Sequence, residues 1–357
     1  VFDYPVRFIY RPHLYSNTYK VGWDGNEEEY KRYLEKTFEE TMVPVEIKDD
    51  DGPIVEPSFK AWWGVPDMPK VNFENKDARQ WALDVTKYWI ENFDIDGWRM
   101  DVAKELDFSF WKDFRDIAYG AKEDVLLISE IFGDTSQWLQ GDRFDGTMNY
   151  SFRETMTDYF ATKRINNKEF ADSLANLYSM YSFEALSSCQ NLLSSHDVKR
   201  FLNRSGNNED GILGAIFLQT TFPGIAGIYY GDEIGLGGAD DPFNREPFPW
   251  HDQPSWNMTI LEFTKTMMNI KNSNTIFKYG RFELLNDTED VVIFRRILQD
   301  ESLLCIVNRD RLTKDLTINT NAHSIDVIYG DFEAILEDGY IKITKNHGDI
   351  GLIIHEK

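Results

Sequence analysis

Three carboxylates stand where this sequence could do chemistry. Asp101 follows Gly97-Trp98-Arg99-Met100, Glu130 closes the run Val125-Leu126-Leu127-Ile128-Ser129, and Asp197 closes Leu192-Leu193-Ser194-Ser195-His196. Hydrolysing an acetal needs an acid for the leaving oxygen and a stabiliser for an oxocarbenium-like centre, and two carboxyl groups in different protonation states supply both. Arg99 precedes Asp101 by two residues, so on a strand their side chains share one face. A guanidinium there keeps a carboxylate ionised and fixes its rotamer, as a nucleophile requires. Each feature alone also has a plain structural reading: Arg-x-Asp as an ion pair, Glu130 as a capping or surface residue, His196-Asp197 as a helix N-cap.

Strands between helices must position these groups. Over residues 76–93, Trp81, Val85, Tyr88, Trp89 and Phe93 recur at helical spacing and predict an apolar face, with Asn75 as the cap. Asp94, Asp96 and Gly97 end that helix, and residues 97–101 read as a short strand. Phe110, Trp111, Phe114, Ile117 and Ala118 then mark one side of a second helix. The run 125–129 is unbroken, as in a parallel strand buried on both faces. About 30 residues separate Asp101 from Glu130, one βα unit, and the stretch to Asp197 leaves room for two more. The three acids therefore end three strands of a βα series, and in a (β/α)8 barrel all such ends converge on the face where chemistry is done.

At this point the residues resemble the α-amylase family of glycoside hydrolases, closest to its cyclomaltodextrinase, neopullulanase and maltogenic amylase branch. Asp96-Gly97-Trp98-Arg99-Met100-Asp101-Val102-Ala103 resembles the nucleophile segment, Ser129-Glu130-Ile131 the acid/base segment, and Ser195-His196-Asp197 the segment with the transition-state carboxylate. Met68-Pro69-Lys70-Val71-Asn72, Phe144-Asp145-Gly146-Thr147-Met148-Asn149-Tyr150 and Ile228-Tyr229-Tyr230-Gly231-Asp232-Glu233 resemble further family signatures, in the family's order. Many members have Asn at Ser195 and Pro at Ala226. The resemblance implies a retaining hydrolase that cleaves α-glucosidic bonds in maltooligosaccharides, cyclodextrins or related α-glucans by double displacement, with transglycosylation open beside it. Asp101 is then the nucleophile, Glu130 the general acid and later base, and Asp197 the group that grips the distorted sugar. Arg99, His196, Trp62, Trp63, Asp3, Asp241 and Arg245 are expected to bind substrate or support those that do. For Trp62 and Trp63 one core and one cleft indole is expected, since indoles either stack on sugars or fill cores. The second class of reading is an amylase-like carbohydrate-binding or scaffold protein without catalysis.

Composition narrows the partners. The net charge of −23 argues against nucleic acid and anionic membranes and agrees with a neutral glucan. No apolar stretch approaches membrane-spanning length. Cys189 and Cys305 sit in or beside apolar runs and read as buried thiols, giving no disulfide evidence for secretion. The start, Val1-Phe2-Asp3-Tyr4, lacks signal-peptide form, so a cytoplasmic location is expected, with secretion left open. A homodimer is left open as well.

Three domains are expected: 1–75, either a third barrel strand ending at Asp3 or an accessory β strand over Val6-Arg7-Phe8-Ile9-Tyr10, with an inserted loop domain; 76–277, the catalytic barrel; and 278–357, an all-β sandwich. In the family, the third strand ends in Asp, then three variable residues, then Asn-His; the Asn often ligates calcium. Here those two slots hold Arg7 and Phe8, so no cofactor is certain and calcium lacks its usual ligand motif. Those altered slots favour the non-catalytic reading, while the three carboxylates favour the enzyme. A helix over 30–41 and an acidic turn at Asp49-Asp50-Asp51 complete the first domain. Barrel strands are expected at 97–101, 125–129, 147–150, 191–194 and 226–230, with only residues 1–3 to offer before them. The α/β architecture is therefore a (β/α)8 TIM barrel lacking its first strands in this chain, which would expose two sheet edges. The expectation is five or six barrel strands from a longer protein.

Overall fold

The computed structural model describes residues 60–62, 68–285, 291–344 and 347–357. Two compact units divide the chain, Val1–Ala82 and Leu83–Lys357, against the boundary expected at 75/76. In the first unit Ala61 bridges to Pro69, the Trp62 N–H donates to the Met68 carbonyl at 2.9 Å, and the Lys70 N–H to the Lys60 carbonyl at 2.8 Å. Asp3, Trp63, the helix over 30–41 and the acidic turn lie outside the described residues.

The elements that position the acids run in order as α1 (Lys76–Phe93), β1 (Gly97–Met100), α2 (Phe108–Ala121), β2 (Leu126–Ser129), β3 (Gly146–Asn149), α3 (Tyr150–Met156), α4 (Asn167–Met180), α5 (Phe183–Ser188), β4 (Gln190–Leu192), α6 (Phe201–Arg204), α7 (Glu209–Thr221), β5 (Ile225–Gly227), α8 (Met258–Ser273) and α9 (Thr275–Tyr279). Asn75 Oδ1 caps α1, accepting from the backbone N–H groups of Asp77 and Ala78. This helix carries the expected apolar face but covers little of it. It buries Leu83, Thr86 and Ile90, while Trp81, Tyr88, Trp89 and Phe93 stay exposed. Periodicity fixes that an apolar stripe exists, not what covers it. Beyond β1, the end strand of its sheet, no further strand lies among the described residues. Helix α2 follows its expected pattern, burying Phe110, Trp111, Phe114 and Ala118.

Strands β1 to β5 form a parallel sheet in sequential order, the layout of a βα series. Arg99 is level with Ile128 and Met100 with Ser129, so Asp101 and Glu130 leave neighbouring strands at the same level. Gly97 permits this approach: a Cβ there would lie 2.1 Å from the Leu126 carbonyl oxygen. A buried amide ladder ties the later strands. Asn149 Nδ2 donates to Asn191 Oδ1, Asn191 Nδ2 to the Pro223 carbonyl, and Gln219 Nε2 to the carbonyls of Asn191 and Gly227.

Two strand boundaries differ from expectation. The strand expected through Tyr150 stops at Asn149, whose side chain caps the Phe152 N–H and starts α3. Helix α3 continues from Met156 directly into a π-helical turn, Thr157–Ala161. The strand expected over 226–230 stops at Gly227, because the Tyr230 carbonyl turns to accept from Arg200 Nη1 at 2.7 Å and Gly231 takes φ +89°.

The C-terminal residues form β6 (Arg281–Leu284), β7 (Val292–Leu298), β8 (Glu301–Val307), β9 (Leu316–Asn319), β10 (Ile325–Tyr329), β11 (Glu333–Glu337), β12 (Tyr340–Thr344) and β13 (Gly351–Glu356). A five-stranded sheet, β10-β13-β8-β7-β6, and a three-stranded one, β11-β12-β9, share one core. Leu304 and Ile306 on one sheet and Ile341 and Ile343 on the other show the period of two that aims alternate residues inward. Both cysteines are buried free thiols.

Helix α7 is buried from Gly211 to Thr221, along the largely apolar run that follows its acidic first turn. Two buried cations meet its C-terminal carbonyls. Lys271 Nζ on α8 donates to the Thr220 carbonyl at 3.1 Å, and Arg296 Nη1 on β7 to the Thr221 carbonyl at 2.7 Å. Arg296 also donates to the carbonyls of Phe277 and Gly280.

Candidate active site

Arg99 joins the first two acids. Its Nη1 lies 2.6 Å from Asp101 Oδ1, its Nη2 lies 3.6 Å from Glu130 Oε1, and its Nε donates to Met148 Sδ at 3.2 Å. The fork of the guanidinium is thus fixed on three sides. The two carboxylates differ in surroundings: the Asp101 side chain is 71% exposed and that of Glu130 is 6% exposed. Glu130 is further held by the backbone N–H of Val102, which donates to its Oε2 at 2.9 Å. The loop after Asp101 is fastened by Trp111 Nε1, which donates to the Ala103 carbonyl at 2.8 Å.

Asp197 enters from the end of β4. His196 Nε2 lies 3.2 Å from its Oδ2, and its backbone N–H donates to Ser195 Oγ at 3.2 Å. Ser195 Oγ in turn lies 3.1 Å from the Tyr150 hydroxyl. Tyr150 feels the charges of both Glu130 and Asp197. Burial pushes its hydroxyl up to about 12, the Ser195 contact pulls it down, and the charges of Glu130 and Asp197 add to the rise. It therefore stays a neutral hydrogen-bonding group. Phe132, two residues after Glu130, is exposed and stacks on Tyr150 at 3.8 Å between ring centroids.

The structure thus brings together Arg99, Asp101, Glu130, His196 and Asp197. Asp241 and Arg245 pair with each other at 3.1 Å, and Arg245 Nε also donates to the His196 carbonyl at 3.0 Å. These two hold the loop that carries Asp197. Trp62 lies in the first unit, half-buried beside the Ala61–Pro69 bridge. Behind the site, Arg200 is fully buried under the rings of Tyr229 and Tyr230 and pairs with Asp232 at 3.2 Å. Burial pushes the Asp232 carboxyl up to about 6, although Ser194 and Arg200 pull it down.

Sequence reasoning passed over Val102, Tyr150, Phe132 and Asn244. Phe132 left a signal, an aromatic residue directly beyond a strand-end acid, and Val102 and Tyr150 stand in segments already singled out. Among the described residues, no group of three or more His, Cys, Asp or Glu side chains gathers where a metal could be held. The slots altered at Arg7 and Phe8 lie outside the described residues.

Acids at the C-terminal ends of successive parallel strands are the active-face layout of a βα barrel. The family "Alpha amylase, catalytic domain" matches residues 58–278. The cyclomaltodextrinase of Thermoanaerobacter pseudethanolicus is 34% identical over 274 residues, covering 76% of this chain and 48% of its own. The intracellular maltogenic amylase of Bacillus subtilis is 37% identical over 273 residues, covering 74% and 46%. A solved cyclomaltodextrinase superposes with a TM-score of 0.77 at 27% identity, covering 86% of this chain and 53% of that one. The chain belongs to the α-amylase family, and its catalytic fold is the family's (β/α)8 barrel followed by an all-β domain. It spans about half the length of the curated relatives it matches.

Proposed function

We propose that this chain carries the activity of a retaining glycoside hydrolase acting on α-glucosidic bonds in maltooligosaccharides, cyclodextrins or related α-glucans. One observation carries the reading: a single guanidinium, that of Arg99, contacts both Asp101 and Glu130. Double displacement uses such a pair, one carboxylate to attack and one carboxyl to give its proton. The Asp101 carboxylate attacks the anomeric carbon while Glu130 gives its proton to the departing glycosidic oxygen, breaking the carbon–oxygen bond. Glu130 then takes a proton from water, whose oxygen attacks the same carbon and frees Asp101. A sugar hydroxyl in place of water gives transfer. Asp197 and His196 hydrogen-bond the distorted ring, and Tyr150, neutral at working pH, keeps Asp197's neighbour Ser195 in place. Every step uses side chains of this chain, and none is assigned to a metal ion.

The net charge of −23 suits a neutral glucan and opposes nucleic acid. No described helix is long and apolar enough to cross a membrane. A cytoplasmic location is proposed from the similarity to a relative named intracellular. The test is release of reducing ends from cyclodextrin, maltotriose, starch and pullulan, with the anomer of the first product read by NMR. Binding without release on all four would give the scaffold reading instead, and an inverted first product would overturn double displacement.

A further inference from the structure

We propose that Asn244 is a positioning residue for Asp197, holding the backbone on both sides of that carboxylate from the loop after β5. The inference rests on the role given to Asp197 above.

Asn244 is fully buried. Its Nδ2 lies 2.9 Å from the His196 carbonyl, 3.0 Å from that of Val198 and 3.4 Å from that of Ser195. One amide nitrogen has two hydrogens, so it makes two short bonds and shares a third. The three acceptors flank Asp197 in the chain, while the N–H of Asp197 itself goes to Ser195 Oγ. Asn244 is used as a donor alone, since its Oδ1 is buried with no hydrogen-bond partner. It is in turn anchored. Its carbonyl accepts from the Tyr229 hydroxyl at 3.3 Å, and the Gly238 backbone packs so closely that a Cβ there would meet Asn244 Cα at 2.9 Å. The end of β4 therefore rests on the loop after β5, and Arg245 Nε strengthens the contact at the His196 carbonyl.

A buried amide that satisfies three carbonyls would stabilise any fold. What sets this one apart is its place around the residue meant to tighten on the sugar only in the transition state. Displacing such a group by about 1 Å costs on the order of a hundredfold in rate while leaving ground-state binding alone.

The test uses the full chain with Asn244→Ala, Asn244→Asp and Asn244→Ser. The Asp variant keeps the shape but sets oxygen against the carbonyl oxygens; the Ser variant keeps one donor. Thermal melts, kcat and KM on maltotriose, and Kd for acarbose, whose flattened cyclitol mimics the oxocarbenium-like sugar, are measured for each. The Ala and Asp variants are expected to lose about 10- to 100-fold in kcat and about tenfold or more in acarbose affinity, with KM within about threefold. Ser should lie between, and it decides the matter if the other two do not melt cooperatively. In an Asp197→Asn background, adding Asn244→Ser should weaken acarbose no further. Folded variants whose kcat and acarbose affinity stay within about threefold of wild type, or which lose equally in both backgrounds, overturn the inference alone. A wild type that neither cleaves nor binds these sugars overturns the functional reading, and the inference with it.

Discussion

The backbone N–H of Val102 lies 2.9 Å from Oε2 of Glu130, so the residue after the assigned nucleophile is bonded to the assigned acid. Val102 reaches that oxygen from the left-handed region, at φ 43° and ψ 46°. The Ala103 N–H follows it to the Glu130 carbonyl at 3.2 Å. Two hydrogen bonds therefore tie the two loops together.

The left-handed conformation costs an L-residue about 1–2 kcal/mol, whereas Gly adopts it freely but loses about 0.5–1 kcal/mol more chain entropy on folding. Val102→Gly keeps the N–H and should stay within about 1 kcal/mol of wild type in urea unfolding. A loss above about 2 kcal/mol would mean that Val102 is not held in that conformation.

Asp101→Asn and Glu130→Gln change little volume and remove the proposed nucleophile and the proposed proton carrier. Each should abolish most turnover while circular dichroism and melting stay close to wild type. If either kept activity within about tenfold, only about 1.4 kcal/mol of barrier, its assigned role would be wrong.

Lys271 gives a prediction in pH. Burial, and then the nearby Arg296 charge, lower its pKa to about 7 in the fold. An unfolded lysine holds its proton to about 10.4, so between these values the unfolded state binds the extra proton and stability rises with pH. Below about pH 7 the buried ammonium carries its full penalty. Lys271→Met, which cannot charge, should therefore be favoured relative to wild type at pH 6, and that advantage should shrink by pH 9. The slope is bounded by roughly 1.4 kcal/mol per pH unit. A stability difference that is flat across this range would show that Lys271 is solvated.

Much of the site was legible because its chemistry is local in sequence. Arg99 and Asp101 share a strand face at a spacing of two, and the ion pair follows from that alone. Glu130 could be placed because an apolar run that stops at an acid marks a buried strand and its end. Asn244 was illegible for the opposite reason. An Asn between Phe and Arg in a loop reads as a turn, and its partners lie almost fifty positions away in the chain. Helix α1 shows a subtler limit. Its extent was clear from the repeat of Trp81, Val85, Tyr88 and Trp89, yet the side it buries was not, since that depends on neighbours.

Arg296 has a consequence for anyone who shortens this protein. Its guanidinium, carried on β7, serves the end of α7, the Phe277 carbonyl and the Gly280 carbonyl. Phe217 of α7 likewise presses on Gly351 of β13, where even a methyl group would come within 2.5 Å of its ring. The stretch matching the catalytic family ends at residue 278, ahead of both partners. Cutting there would strip the Thr221 and Phe277 carbonyls of their donor and bare the ring of a core phenylalanine. The unit of inheritance is thus longer than the unit of chemistry: recombination that exchanges catalytic domains must carry the β domain along, or redesign the helix ends it leaves behind.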